Sequence, residues 1–213
     1  MRVVLIPMKP LAGAKERLAP ALDPSERRGL SLAMLSDVIA AARGFDRVWV
    51  LNSDAEAASL ARDAGVEAIE DPAPGQGLNP SLTAASTRAV NAGASGVLVV
   101  SADLPALTSD DLTAMCADDG VAVAPDRGGA GTNALWRSPG DLIGVAFGPS
   151  SMVAHATLAW DASVGARVVE RPGLALDVDT PQDLAAAWAH GVGAATRRAL
   201  EEMGVAARLR LAG

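Results

Sequence analysis

Three cations, Lys9, Lys15 and Arg17, fall within nine residues of an acidic chain, with Gly13 among them. They directly follow the apolar run Val3-Val4-Leu5-Ile6. Cations grouped beside a glycine, where backbone can come close to a ligand, suit phosphate binding. A solvated surface loop is the competing explanation. A second candidate is Asp103, a lone carboxylate just past the run Val97-Leu98-Val99-Val100-Ser101. Ligands of open α/β sheets bind outside the carboxyl ends of strands, so Asp103 is placed to hold Mg²⁺ against a nucleotide phosphate. Otherwise it only shapes the turn into Leu104-Pro105. Near the other end of the chain, Thr180-Pro181-Gln182-Asp183 reads as a capping box with Asp in place of Glu. That accounts for Thr180 and Asp183 but leaves two more carboxylates, Asp177 and Asp179, without a structural role. Arg127, beside a Gly-rich loop, suits an anionic ligand. Ser150 and Ser151 open a helix, where serine commonly caps and free N–H groups favour an anion.

These groups sit in a chain of 213 residues with net charge −7, half of it hydrophobic and only 3% aromatic. The length predicts one domain, residues 1–213, with an aliphatic core. The negative charge argues against a nucleic-acid or anionic-membrane surface, so an anionic ligand requires a local basic pocket. A single cysteine, Cys116, excludes an internal disulfide and fits a reducing cytoplasm. Met1 to Met8 reads as a strand rather than a leader, and no run reaches transmembrane length. His155 and His190 fall on helices without metal-ligand spacing and read as ordinary helix residues. The oligomeric state stays open.

Strand and helix alternate along the chain. Strands are expected at Arg2–Pro7, Arg47–Leu51, Val66–Ile69, Val97–Val100, Val121–Pro125, Thr132–Trp136 and Ala166–Glu170. A further strand is expected to end at Asp177. The helix from Asp23 to Gly44 carries an apolar stripe through Leu30, Met34, Leu35, Val38, Ile39 and Ala42, which is core. A second helix spans Ala55–Ala64, and a third opens with Asn79 at its N-cap and Pro80 at N1, Asn79 being a possible ligand contact as well. Helices are also expected after Thr108, from about Ser150 to Ala159, after Thr180, and from Gly191 to Gly213. The alternation implies a largely parallel sheet with helices on both faces: an α/β, single-domain, Rossmann-like fold.

Five motifs occur in order: Lys9-Pro10-Leu11-Ala12 with Ala14-Lys15 and Arg17-Leu18; Asp103-Leu104-Pro105; Asp126-Arg127 with Gly129, Gly131 and Thr132; Phe147-Gly148-Pro149 with Ser151; and Asp177-Val178-Asp179-Thr180-Pro181. The set, with Gly191-Val192-Gly193 near the end, resembles the phospholactate/phosphoenolpyruvate guanylyltransferase family of deazaflavin coenzyme F-420 biosynthesis. The resemblance implies a glycosyltransferase-A-type nucleotidyltransferase fold. It implies transfer of GMP from GTP to the phosphate of phosphoenolpyruvate or 2-phospho-L-lactate, with release of pyrophosphate. By the same resemblance Thr132, Gly148 and Ser151 match the acid contacts. Asp103 matches the metal aspartate, Asp179 the second metal carboxylate, with Asp177 the alternative, and Mg²⁺ is the implied ion. Only Gly13 remains of the Gly-rich loop common in this fold class, so Lys9, Lys15 and Arg17, with Asn79, are expected to hold the nucleotide. Two rivals are an enzyme of the same fold with another acceptor, such as molybdopterin or a sugar phosphate, and a non-catalytic nucleotide-binding module.

Overall fold

Among the described residues seven strands form, the central ones on apolar, β-branched runs: β1 (Arg2–Pro7), β2 (Arg47–Asn52), β3 (Glu67–Glu70), β4 (Gly96–Val100), β5 (Gly120–Pro125), β6 (Thr132–Ser138) and β7 (Ala166–Val168). The computed structural model, which describes residues 1–52 and 54–210, places them in one sheet ordered β3-β2-β1-β4-β6-β5-β7. Only β6 runs antiparallel to its neighbours. All five residues of β4 are buried, as a strand covered by helices on both faces requires.

The helices are α1 (Pro24–Ala42), α2 (Ala55–Asp63), α3 (Leu78–Asn91), α4 (Ser109–Met115), α5 (Ser151–Asp161), α6 (Pro172–Ala175), α7 (Pro181–His190), α8 (Ala194–Glu202) and α9 (Val205–Arg210). On one face, α1, α2 and α4 cover Val4, Ile6, Val48, Val50, Leu98 and Val100. On the other, α3 covers Val3, Leu5, Trp49, Val97 and Val99, and α5 covers Val121, Val123 and Leu135. Helix α1 is buried on two sides. Leu35, Val38 and Ile39 face the sheet, while Leu30 and Met34 meet Leu184, Leu200 and Val205 of the last three helices. Each such fully buried side chain contributes about 1.5–3 kcal/mol, so α1 glues the C-terminal helices to the sheet.

The chain leaves β1 toward β2 on one side and leaves β4 toward β5 on the other. The adjacent carboxyl ends of β1 and β4 therefore diverge at a topological switch point, the crevice where open α/β sheets bind ligands. The cationic loop follows β1 and Asp103 follows β4.

Several local expectations are corrected. No strand ends at Asp177: Pro172, at the first position of a helical turn, opens the short α6, and an extended loop carries Asp177 to Asp179. The N-cap of α3 is Gly77, whose φ of 94° favours glycine, and not Asn79. Strand β7 stops at Val168, although Val169 N–H still donates to Val123 O at 2.9 Å. The C-terminal helix is two, broken at Gly204 with φ of 67°; residues 211–213 of that expectation lie outside the described residues. The capping box expected at Thr180 forms at the start of α7, and Asp23 and Thr108 make capping boxes at the starts of α1 and α4.

Candidate active site

Arg27 of α1 donates from Nε to Ala14 O and from Nη1 to Leu22 O, and buried Leu18 packs below, so the loop after β1 is pinned at both sides of Lys15. Lys15 itself has φ of 54°, a left-handed conformation that costs a non-glycine residue about 1–2 kcal/mol. Strain of that kind collects where a side chain must be aimed. Its Nζ lies 2.8 Å from Asp179 Oδ1 and also bonds Asp103 Oδ2. Val178 N–H donates to Asp103 O at 3.1 Å, which brings the two carboxylate loops together.

The electrostatics follow from that geometry. Burial alone would lower the Lys15 ammonium, but the charges of Asp103 and Asp179 outweigh it and hold its pKa above the ordinary 10.5. Burial would raise Asp179; Lys15 first, then Lys9 and Arg17, hold it below the ordinary value instead. Lys9 and Arg17 are exposed and reach the site only through this field. Asp177 sits behind the pair. Asn133 Nδ2 donates to its Oδ1 at 3.0 Å and to Leu174 O at 2.9 Å. Burial raises Asp177, and the charges of Asp103 and Asp179 add to the shift.

Among the described residues no group of three or more His, Cys, Asp or Glu has the arrangement of a protein-only metal site. Two carboxylates converging on one cation is a different donor set. It suits Mg²⁺, which takes one or two carboxylates, keeps water and completes its shell with substrate phosphates. The residues present fit that ion.

The second half of the site lies across β6. Ser101 N–H donates to Asn133 O at 2.9 Å, so the start of β6 stands level with the Asp103 loop. Asn133 turns to the α6 side of the sheet, while Thr132 Oγ1 meets His155 Nδ1 of α5 at 3.1 Å. Gly148 has φ of 138°, which an L side chain rarely adopts, and Ser150 is left-handed at φ of 58°. Ser150 makes no side-chain cap bond, so the capping expected here is absent; the turn is closed by Ser151 N–H to Gly148 O at 3.1 Å. Ser151 is buried in the first turn of α5. Thr132, Gly148 and Ser151 thus gather around α5's N-terminal turn. Arg127 is exposed and lies 3.9 Å from Asp183, the carboxylate that accepts from Asp179 N–H at 3.3 Å, so it stands at the edge of the Asp179 loop.

A match to the family model for guanylyl transferases of the CofC-like type runs over residues 1–211. The chain belongs to this family. Phosphoenolpyruvate guanylyltransferase of Rubrobacter xylanophilus is 39% identical over 193 residues, covering 88% of this chain and 93% of the relative. The protein of that name from Mycobacterium sp. strain KMS is 39% identical over 203 residues, covering 92% and 90%. Among solved structures, a protein of Desulfovibrio desulfuricans G20, provisionally named a nucleotide-diphospho-sugar transferase, superposes with a TM-score of 0.77 at 16% identity, covering 99% and 97%. A nucleotidyl transferase of Methanothermobacter gives 0.62 at 19% identity over 89% and 97%. Those two likenesses are of fold. As a member of the CofC-like family the chain is an enzyme of the nucleotidyltransferase type, a guanylyltransferase.

Three positions in this guanylyltransferase make contacts that sequence reasoning did not foresee. Asn79 is neither cap nor free: its Oδ1 accepts from Phe147 N–H at 2.8 Å and its Nδ2 donates to Phe147 O at 2.9 Å. Both ends of the amide hold the loop leading to Gly148. Asn133 holds Asp177, and no local signal marks it. His155 was legible in part, since it lies one helical turn after Ser151 and on the same face.

Proposed function

We propose that the chain transfers GMP from GTP to the phosphate of a three-carbon acid, phosphoenolpyruvate in the first instance, and releases pyrophosphate. The observation that carries this is the meeting of Lys15, Asp103 and Asp179 at the β1/β4 switch point. The curated relatives' names supply the acceptor. An oxygen of the acid's phosphate forms a bond to the α-phosphorus of GTP, and the bond from that phosphorus to the bridging oxygen of the β-phosphate breaks in line. The attacking oxygen is already ionised, so no general base is needed, which agrees with a site built of cations and carboxylates.

Asp103 and Asp179 would hold Mg²⁺, with Asp177 able to join from the same loop. The bound ion would supply charge neutralisation across the phosphates. Lys15, whose ammonium reaches both carboxylates, would stabilise the charge of the leaving pyrophosphate, and Arg17 and Lys9 would add positive potential at the mouth. Thr132, Gly148 and Ser151 offer hydroxyl and backbone donors to the acid's carboxylate without adding a cation. The product belongs to deazaflavin coenzyme F-420 assembly. A cytoplasmic setting fits the single thiol, Cys116, which burial pushes up to about 12, leaving it unreactive. No helix among the described residues is long and apolar enough to cross a membrane.

Incubation with GTP, Mg²⁺ and either phosphoenolpyruvate or 2-phospho-L-lactate, followed by mass spectrometry, tests the reaction. A guanylylated acid and equimolar pyrophosphate are expected. Formation of neither, with either acid, would overturn it.

A further inference from the structure

Beyond the contacts already assigned, one buried ring joins the two halves of the acid pocket. His155 is fully buried, and both of its nitrogens are engaged. Ala146 N–H lies 3.0 Å from Nε2, and Thr132 Oγ1 lies 3.1 Å from Nδ1. A backbone N–H can only donate, so Nε2 accepts and carries no proton. Burial first, and the charge of Arg137 second, lower the ring's pKa to about 4, so it is neutral at pH 7. Its one proton is then on Nδ1 and is donated to Thr132 Oγ1. An oxygen that accepts from His155 must aim its own hydroxyl proton elsewhere. Among the described residues Thr132 Oγ1 has no second partner.

The same ring packs edge-on against Phe147, with centroids 5.0 Å apart and planes at 71°. Phe147 leads directly into Gly148, and its backbone is held from the other side by Asn79. His155 therefore touches or fixes each arm of the pocket: Thr132 through Nδ1, the Ala146–Phe147 approach to Gly148 through Nε2 and the ring edge, and Ser151 through their shared helix.

We propose that His155, held as its Nδ1–H tautomer, is a positioning residue that makes Thr132 an obligate hydrogen-bond donor to the acid substrate and sets its spacing from Gly148. The inference rests on the acid pocket proposed above. A histidine in this state adds no charge, so it orients a hydroxyl toward the carboxylate while leaving the field of the neighbouring carboxylates and metal unchanged. It selects for an acceptor oxygen at that point and against a donor.

Two measurements test it. The chain has only two histidines, so long-range ¹H–¹⁵N spectra of the wild-type protein, with His190→Gln for assignment, read the tautomer directly. Nδ1 protonated and Nε2 bare, unchanged between pH 6 and 8, is expected; an Nε2–H or doubly protonated ring would overturn the proposal. The second is a kinetic cycle. Thr132→Val should raise KM for the acid about tenfold or more, the scale of one hydrogen bond to a charged group, with KM for GTP within about twofold. His155→Gln can still accept from Ala146 but cannot donate from the Nδ1 position, and should raise the same KM about threefold to tenfold. His155→Asn, which can donate there, should lie nearer wild type. On the Thr132→Val background, His155→Gln should have no further effect on KM for the acid, whatever it does to melting temperature. If it adds its full effect there, His155 does not act through Thr132 and the proposal falls while the pocket stands. If Thr132→Val leaves KM for the acid unchanged, the pocket itself is misplaced.

Discussion

Replacing Lys15 by methionine should move metal affinity and turnover in opposite directions. In the nucleotide-free protein the Lys15 ammonium bonds both Asp103 and Asp179. A divalent ion on those carboxylates would have to share them with that ammonium, and about 5 Å serves as the separation of the two charges for an order-of-magnitude figure. Repulsion between single and double positive charges at that range is about 2 kcal/mol in a water-like dielectric and about fourfold larger at an effective dielectric of about 20. The side chains of Asp179 and Asp103 remain 47% and 28% exposed, so the water-like end applies. Methionine keeps the length and removes the charge. The nucleotide-free Lys15→Met protein should therefore bind Mn²⁺, as a stand-in for Mg²⁺, roughly tenfold more tightly or better, at about 1.4 kcal/mol per decade. Titration followed by the electron paramagnetic resonance of free Mn²⁺ measures this. Turnover with GTP and the acid should fall at least about a hundredfold, the scale of one transition-state electrostatic contact. Equal or weaker Mn²⁺ binding by a folded variant would show that the carboxylates do not hold the ion where Lys15 sits.

Other perturbations separate the remaining roles. Asp103→Asn keeps shape but removes charge, and should lower turnover at least about a hundredfold; activity within about threefold of wild type would remove Asp103 from the site. Ser151→Ala should raise KM for the acid more than for GTP and leave melting temperature nearly unchanged, because no cap bond is lost; a drop in melting temperature with normal kinetics would make Ser151 structural. The Lys15–Asp179 pair predicts a pH window. Lys15 has a raised pKa, so its contribution is full below the ordinary 10.5 and is lost as pH rises through the raised value; Asp179 has a lowered pKa, so its contribution is full above the ordinary 3.8 and is lost as pH falls through the lowered value. The melting-temperature difference between wild type and Lys15→Met should be flat from about pH 5 to 9 and shrink beyond both ends; a steady slope across that range would contradict the pairing. Asp37→Ala removes the carboxylate that accepts from Ala195 N–H at 3.0 Å and Thr196 N–H at 2.8 Å. Loss of such a cap costs about 1–2 kcal/mol, or roughly 2–8 °C in a chain of this size, and calorimetry would read it.

What was legible in the sequence was whatever local pattern dictates. Four apolar residues before Asp103 specify a buried strand, and the strand's end specifies where the carboxylate stands. Thr180 and Asp183 specify a helix start, which leaves Asp179 just outside it. Three motif positions of the acid pocket came only through family resemblance, since nothing local says that Thr132 and Ser151 meet. Asn79 misled because an Asn before Pro at a helix start satisfies the rules for a cap; a partner 68 positions away, Phe147, takes its amide instead. The segment before Asp177 misled because Leu174-Ala175-Leu176 has strand-like apolarity, while Pro172 and the bond from Asn133 to Leu174 O favour a helical turn. His155 looked like an ordinary helix residue because its role depends on which nitrogen carries the proton, and only the Ala146 N–H reveals that.

The cation site is drawn from the two ends of the chain. Lys15 lies 88 positions from Asp103 and 164 from Asp179. The Asp103 loop takes two further braces from late residues, Val178 N–H at Asp103 O and Gly193 N–H at Pro105 O, 3.1 and 2.7 Å. A side chain at Gly193 would collide with Asp37, its Cβ coming within 2.3 Å of the carboxyl carbon, so the last segment docks in one way. A chain emerging from the ribosome can therefore assemble β1 to β4 and their helices while still lacking one carboxylate and both braces. Contacts of such sequence separation form late, because the loop-closure entropy must be met first. Competence for nucleotide should be the final event of maturation, and on gentle denaturation the first property to disappear, ahead of the sheet.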